Sequence, residues 1–555
     1  MAAGPSPAPA PPDALPATGH GAARTVLLGL TGVVWLLAGL YDREPWKADE
    51  AYTIGIVHGI VAHGQWLIPT LAGEPFMEKP PLVYWLAALC VQWLSPPLPM
   101  HVAARGANVL CAIAAFVLVD RAAREAIGPS SARRAVLMLA LCPAFLSSSR
   151  YLTADLGLMP AAAMVCWGLI RLGAQAPHAG PMLGTGAAIG LMAKGVLLPG
   201  VAALGTMALI ALTPALWRRR TLSTLGVALG TFALLGSAWP AWVGLRSPTL
   251  LMDWLWDNNV GRFFGTNTLG PTQSTLQTLA LAAAMLLPAW PLALRRCIQY
   301  RQRWQGHPLL GPALFAVAWL LVLSASATSR GSYALPVLVP LCLLAAASRP
   351  PGAADAPPTS GRVRRLWLGA LAIALAASAA TALWGGLSRW LPATADALPV
   401  MTGLALATAA LCVGWIGWVR RAPAHGAPPD GMLAAAVSLT LLFAAALAAG
   451  LPSADRRTGF REAFITLAPV LRETEGCVAS LELGESERGM LDYYVDLRTR
   501  RIGVDPDADE CRLRFEQQRR AADAELFGCP GMRVLWQRQR TGHPDETFRL
   551  CGPER

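Results

Sequence analysis

Charge is what this chain has least of. Asp, Glu, Lys and Arg make up 14% of its 555 residues, against roughly a quarter in a soluble globular protein. Hydrophobic residues reach 54%. A soluble multidomain enzyme, a fibrous protein and a disordered chain are all excluded. Also missing are a CxxC pair and a His-rich spacing, so no zinc framework can be read from the pattern. What is present is a succession of apolar runs from residue 25 to 451, followed by about a hundred residues of ordinary polarity. The chain reads as a polytopic α-helical membrane protein with a small hydrophilic C-terminal α/β domain.

The formal net charge of +12 does not point to nucleic acid. Much of it sits in short clusters between apolar runs: Arg121 and Arg124, Arg133 and Arg134, Arg218 to Arg220, Arg295 and Arg296, Arg362 to Arg365, Arg420 and Arg421. Such clusters mark cytoplasmic loops. Residues 1–23, rich in Ala and Pro, read as a disordered cytoplasmic lead. The first span follows from Arg24 to Leu40. It is not a cleaved signal peptide, because the lead is long and has no basic region before the apolar run.

The loop 42–81 is then external. Segment 82–95, bracketed by Pro80-Pro81 and Pro96-Pro97, is shorter than the ~20 residues of a span and reads as a juxtamembrane or re-entrant helix on the outer side. Spans over 101–120, 135–149, 156–172, 183–198, 200–216, 223–244, 275–294, 309–326, 333–347, 366–387, 399–419 and 431–451 complete a set of about thirteen. Every major Arg cluster then falls inside, and the odd count puts residues 452–555 outside, in the periplasm of a bacterial inner-membrane protein. Seven cysteines lie in or beside apolar runs. The other four, Cys477, Cys511, Cys529 and Cys551, share the tail, and an oxidising compartment would join them in two disulfides.

The same threading brings the uncommon polar residues to one face: Asp42 to Glu50, Glu74 to Lys79, Arg150 to Asp155, the loop 246–273, and Ser326 to Tyr333. Lys194 lies near the outer end of its span. Charges at the water–lipid boundary suit an enzyme acting on a lipid headgroup. A transporter or flippase, the alternative, would place them near the bilayer midplane. Asp49 and Glu50 follow the first span, where a carboxylate can serve as general base or hold a divalent cation through oxygen. Lys79 beside Pro80-Pro81 is held in an extended or turn geometry, which suits a fixed cation facing a phosphate. Trp239, Trp242, Trp254 and Trp256 read as interfacial anchors. His58 and His63, five apart, do not share a helix face.

Asp49-Glu50 after the first span, then Glu78-Lys79-Pro80-Pro81-Leu82, resembles the GT-C glycosyltransferases that use polyprenyl-phosphate sugars. The lipid A aminoarabinose transferases and the dolichyl-phosphate-mannose-type protein mannosyltransferases are the nearest in pattern. Arg150-Tyr151-Leu152-Thr153-Ala154-Asp155 is similar to the family's second acidic loop, and Lys194-Gly195 to its Lys-Gly signature. Asn258-Asn259-Val260-Gly261-Arg262-Phe263 resembles its Asn/His-x-x-Arg-Phe segment. Arg330, Tyr333 and Pro336 resemble its late loop, with Arg330 where many members carry lysine.

The resemblance implies a GT-C architecture with a catalytic domain over 24–451. It implies transfer of a sugar, with inversion, from an undecaprenyl phosphate donor to a membrane glycolipid such as lipid A, or to a protein. Asp49 would be the principal catalytic carboxylate, with Glu50 beside it and Asp155 as second acid; Asp49 and Asp155 would also be the ligands if a divalent cation is used. Lys79, Arg262, Arg330 and Lys194 would grip the lipid phosphate, with Glu78 and Tyr333 in the substrate site. No organic cofactor is implied. Asp49 and Asp155 are expected to converge.

Overall fold

The computed structural model describes residues 18–41, 43–46, 48–266, 274–328, 330–347, 360–388, 398–421, 431–474, 476–481, 483–519, 527, 529–541 and 543–554. The expected disordered lead lies outside them as far as residue 17, and the first helix begins at Thr18. Among the described residues, five helices are long and apolar enough to cross a membrane: Met100–Ile127, Ala154–Gly173, Arg364–Leu383, Thr402–Arg420 and Gly431–Leu451. Two bent pairs bring the number to seven. Arg219–Gly236 meets Ala238–Arg246 at 48°, and Thr275–Met285 meets Ala289–Gln299 at 90°. Shorter apolar helices cover Ala22–Leu37, Leu82–Leu94, Leu197–Leu212, Leu310–Ala325 and Gly331–Ala346. The chain is thus a polytopic helical membrane protein. The run 135–149, read as one span, is two helices, Pro129–Ala140 and Pro143–Ser148. Pro143 supplies the break: it cannot donate the hydrogen bond that would continue the first helix.

The chain divides into two compact units, Met1–Ala38 with Pro357–Ala449, and Gly39–Ala356 with Gly450–Arg555. In the first, the Trp415 indole donates to Thr31 Oγ1 at 2.9 Å, a bond that ties the Thr18–Leu37 helix to Leu398–Arg421. Trp367 and Trp418 pack on the same indole at 5.5 and 5.6 Å between ring centres.

The second unit holds everything that concerns function. Its helices pack closely through small residues, as membrane helices do. A Cβ at Gly184 in the Ala179–Lys194 helix would stand 2.4 Å from the Ala228 carbonyl of the helix beside it. A short antiparallel pair, β1 (Thr70–Leu71) and β2 (Glu74–Pro75), follows the Asp49–His63 helix.

The tail is an α/β domain. Its strands are β3 (Val478–Leu481), β4 (Arg500–Arg501), β5 (Leu513–Gln518), β6 (Met532–Arg540) and β7 (His543–Pro553). They form one sheet in the order β4-β3-β5-β7-β6, parallel where β3 meets β4 and β5 and antiparallel from β5 onward. Phe464, Phe515 and Phe548 fill its core without exposure. Disulfides Cys477–Cys511 and Cys529–Cys551 close it, and the seven remaining cysteines are free.

The helix Glu485–Val495 joins this domain to the Asp49–His63 helix. A Cβ on Gly55 would come within 2.7 Å of the Gly489 backbone, so Gly55 lets the tail helix in, while a Cβ on Gly489 would meet the Leu71 side chain at 2.9 Å. Ser486 donates to the Ala48 carbonyl at 3.1 Å. Glu74 on β2 takes Arg488 at 2.9 Å and Arg501 at 2.7 Å.

Candidate active site

Two adjacent carboxylates begin the site, and they point to different places. Glu50 is 2% exposed. Arg43 binds it through both terminal nitrogens, and Arg105 Nε donates to it at 2.9 Å. The same guanidinium groups reach backbone carbonyls: Arg43 that of Arg150 at 2.7 Å, and Arg105 those of Leu40 and Arg43 at 3.0 and 2.6 Å. Glu50 is therefore the centre of a knot tying residues 40–46, the Gly106–Ile127 helix and the loop before Asp155. Burial pushes its carboxyl up, but Arg105 and Arg43 outweigh that and hold it down at about 2. The knot leaves Glu50 no face toward a substrate.

Asp49, one residue earlier, turns the other way and is partly exposed. Its nearest cations among the described residues are Arg330 at 3.8 Å and Lys79 at 3.9 Å. Both lie beyond hydrogen-bond range, so Asp49 is attracted but not clamped. Lys79 is buried, donates to the Tyr52 hydroxyl, and stands 3.9 Å from Glu78. Burial would deprotonate the ammonium, yet Tyr52, Glu78 and Asp49 reverse this and hold it well above the usual lysine value. Glu78 in turn accepts from Arg262 at 2.8 Å. Burial raises the Glu78 carboxyl, while Lys79 and Arg262 bring it below its ordinary value.

Asp155, in the short turn Ala154–Gly157, accepts from Lys194. Lys194 is the last residue of its helix, where the helix dipole favours a cation. Its ammonium also lies 3.6 Å from the ring centre of Tyr333. The Lys-Gly pair has a steric reason. Gly195 has φ +95°, and a Cβ there would fall 2.0 Å from Asn259 Oδ1. That oxygen accepts from the Val196 amide at 3.1 Å. Asn259 belongs to the π-helical turn Asp253–Gly261, which delivers Arg262.

These pieces surround one cavity of about 490 Å³. Lys79, Glu78, Lys194, Arg262 and Tyr333 line its polar part, and Val201, Leu204, Met207, Phe263 and Leu323 its apolar part. Leu204 and Met207 are themselves exposed. Asp49 and Asp155 do not line the cavity but pair with lysines that do. Arg330 does not line it, and its guanidinium approaches Asp49 at 3.8 Å.

Sequence reasoning missed several participants. Tyr52, Arg43 and Arg105 carried no motif. Glu485 comes from the tail helix, and its carboxyl is raised first by burial, then by the nearby charge of Glu78. One available signal was lysine itself: the chain has three, Lys47, Lys79 and Lys194, against 46 basic residues in all. Where arginine serves everywhere else, a retained lysine marks a position that needs a compact point charge. Two of the four tryptophans need a correction. Trp239 and Trp254 are buried, 5.2 Å apart edge to face, in a core with Met77, Met192 and Val243. Trp239 donates to the Leu67 carbonyl at 2.7 Å, so its polar edge is satisfied by protein rather than by an interface. As for metal, the converging groups of three or more ligating side chains among the described residues include neither Asp49 nor Asp155. Each of those two faces an ammonium instead, which is a poor donor set for a shared cation.

A helical membrane fold with carboxylates and cations converging on an amphipathic cavity is the arrangement of a GT-C glycosyltransferase, and this chain resembles that class. Residues 78–242 match the family model described as dolichyl-phosphate-mannose-protein mannosyltransferase. The particular proteins it resembles are undecaprenyl phosphate-alpha-4-amino-4-deoxy-L-arabinose arabinosyl transferases. That of Pseudomonas aeruginosa is 26% identical over 340 residues, and that of Edwardsiella ictaluri 27% identical over 335. Each alignment covers 58% of this chain and 58% of the relative, so the chain spans somewhat over half the length of the curated relatives it matches. The crystal structure of ArnT from Cupriavidus metallidurans bound to undecaprenyl phosphate superposes with a TM-score of 0.68 at 17% identity. That superposition covers 97% of this chain and 100% of the other. The apo form gives 0.67. The likeness to these structures is one of fold.

Proposed function

We propose that this chain is a glycosyltransferase that moves a sugar, aminoarabinose by the names of its relatives, from undecaprenyl phosphate to a glycolipid acceptor such as lipid A. The observation that carries the reading is the cavity. Leu204 and Met207, both exposed, lie on its apolar lining, and Lys79, Lys194 and Arg262 on its polar lining. A polyprenyl chain needs the first part and its phosphate the second.

The chemistry follows from the charges. The bond from the anomeric carbon to the phosphate oxygen breaks, and its electron pair leaves with the phosphate. Lys79, Arg262 and Lys194 stabilise that charge in a partly water-excluded site. Each now rests against a carboxylate, so an arriving phosphate exchanges one anionic partner for another. Asp49 is the most loosely held of the carboxylates. Freed from Lys79 and Arg330, it takes the proton of an acceptor hydroxyl attacking the opposite face, which inverts the anomeric centre. An acceptor phosphate needs no base, and Asp49 then orients it. Asp155 fixes Lys194. Glu50 acts only by positioning the helix that carries Asp49. No step is routed through a divalent cation.

In this reading the membrane domain covers residues 24–451, in about thirteen spans. The cavity and the 452–555 domain face the periplasm of a bacterial inner membrane, where the two disulfides form. The test is reconstitution of the purified protein with radiolabelled undecaprenyl-phosphate sugars and native glycolipid extract. Label should pass to the glycolipid fraction. Label that stays on the donor with every sugar and acceptor tried would refute the reading.

A further inference from the structure

Away from the cavity, the junction between the Asp49–His63 helix and the tail gathers four ligating side chains. His58 and His63 come from the Asp49–His63 helix, Asp492 from Glu485–Val495, and Asp496 caps the end of that helix. One ligand atom from each lies within 4.8 Å of all the others. Five-residue spacing puts the two imidazoles on different faces of a regular helix. His63, however, is the last helical residue, followed by Gly64 in the left-handed region, and its ring meets that of His58 edge to face at 5.5 Å. Asp496 is likewise the residue that ends its helix. Two helix C-termini, each an electronegative end, thus point into one place.

A second observation points to a ligand there. Asp492 is 1% exposed. Arg498 Nε donates to its Oδ1 at 3.0 Å, while its Oδ2 is buried without a hydrogen-bond partner among the described residues. A buried carboxylate oxygen left so costs free energy, and a cation would satisfy it.

We propose that His58, His63, Asp492 and Asp496 form a binding site for a divalent transition-metal ion, with zinc the best fit. Two imidazole nitrogens and two carboxylate oxygens are a tetrahedral zinc donor set. Bonds of ~2.0 Å would require the side chains to draw in slightly. Arg498 would orient the Asp492 carboxylate from outside the coordination sphere. His63 and Asp496 are exposed, which gives the ion a way in. The role is structural. The ion would fasten the tail domain to the helix whose first residue is Asp49, on the far side of the Gly55–Gly489 crossing. It is separate from any cation at Asp49 or Asp155, and it holds whether or not the proposed transfer does.

The test uses the full chain without a polyhistidine tag, stripped with chelator and titrated with zinc by calorimetry and with cobalt by visible absorption. One saturating equivalent is expected, with a d–d spectrum typical of tetrahedral nitrogen and oxygen ligation and a rise in unfolding temperature. All three should be lost in His58→Ala/His63→Ala and weakened at least tenfold in Asp496→Asn. They should persist in Asp49→Asn. His63 and Asp496 lie at the surface, so their single variants keep the test sound if the double variant misfolds. Failure to saturate with either metal overturns the proposal, as does binding unchanged in the histidine and Asp496 variants.

Discussion

Lys194 lies over the face of Tyr333, 3.6 Å from the ring centre, while its ammonium is held by Asp155. The ring face, and not the phenol group, is what the cation meets. A desolvated cation–π contact contributes about 2 kcal/mol. Tyr333→Phe should therefore keep most of the turnover, and Tyr333→Leu should lose roughly thirtyfold. Steady-state transfer rates decide between them; a loss in the Phe variant equal to that in Leu would assign the role to the hydroxyl instead.

Lys79 and Arg262 share Glu78 as partner, so each is part of one shielded cluster. Removing a charge-assisted donor from such a site costs ~2–4 kcal/mol of transition-state stabilisation. Lys79→Ala and Arg262→Ala are each expected to slow turnover by about thirty- to thousandfold. Arg220→Ala, in the exposed cluster at the start of another helix, should change little. If both site variants fell only a few-fold, they would be headgroup anchors, interchangeable and worth about 1 kcal/mol apiece.

Asp49→Asn keeps the shape of the side chain and removes its ability to take a proton. The protein should express and purify normally, because no hydrogen-bonded knot depends on this carboxylate, and transfer to a hydroxyl acceptor should be abolished. Near-normal turnover in the purified variant would return Asp49 to the ordinary part of an acidic residue at a helix start.

Glu50 should behave in the opposite way. Its folded carboxyl is held at about 2 against an ordinary 4.5, a depressed value. Its contribution is therefore complete above pH ~4.5 and fades as pH falls toward 2. The difference corresponds to roughly 3 kcal/mol. Glu50→Gln leaves Arg43 and Arg105 buried without their anion, which costs ~3–5 kcal/mol. Thermal unfolding in detergent from pH 7 to 3 should show wild type falling below pH ~4.5 and the variant low throughout. A stable, folded but inactive Glu50→Gln would contradict the positioning role.

Much of this site was legible because its motifs are local. Asp49-Glu50, Glu78-Lys79-Pro80-Pro81, Lys194-Gly195 and the Asn258 to Phe263 run each occupy a few adjacent residues, and the helices bring them together as the resemblance implies. What could not be read is what depends on facing. Adjacent Asp49 and Glu50 look equivalent in a row of letters, but a helix turns them about 100° apart, one to the cavity and one into the arginine knot. Trp239 and Trp254 read as anchors because burial is a tertiary property. The central strand β5 carries no clear sequence signal either. Its Leu513 and Phe515 alternate with Arg514 and Glu516, yet Glu516 and Gln517 are buried too, so the two-residue period that marks a half-exposed strand was broken by polar groups satisfied inside the domain. Bonds among Gln517, Glu487 and Glu546 account for part of that.

The Gly55–Gly489 crossing bears on how the two parts of this molecule can change over time. The Asp49–His63 helix cannot gain even a methyl group at Gly55 without pushing the tail helix away, and a Cβ at Gly489 would press on the Leu71 side chain of β1. Glu74 with Arg488 and Arg501, and Ser486 with the Ala48 carbonyl, lie around the same contact. The tail domain is therefore not a freely exchangeable module. A tail with a larger residue in place of Gly489 would press on Leu71 of β1, the strand that follows the helix beginning at Asp49. Chimeras that exchange residues 39–81 together with 450–555 should tolerate the swap, whereas the tail alone would arrive without its matching half.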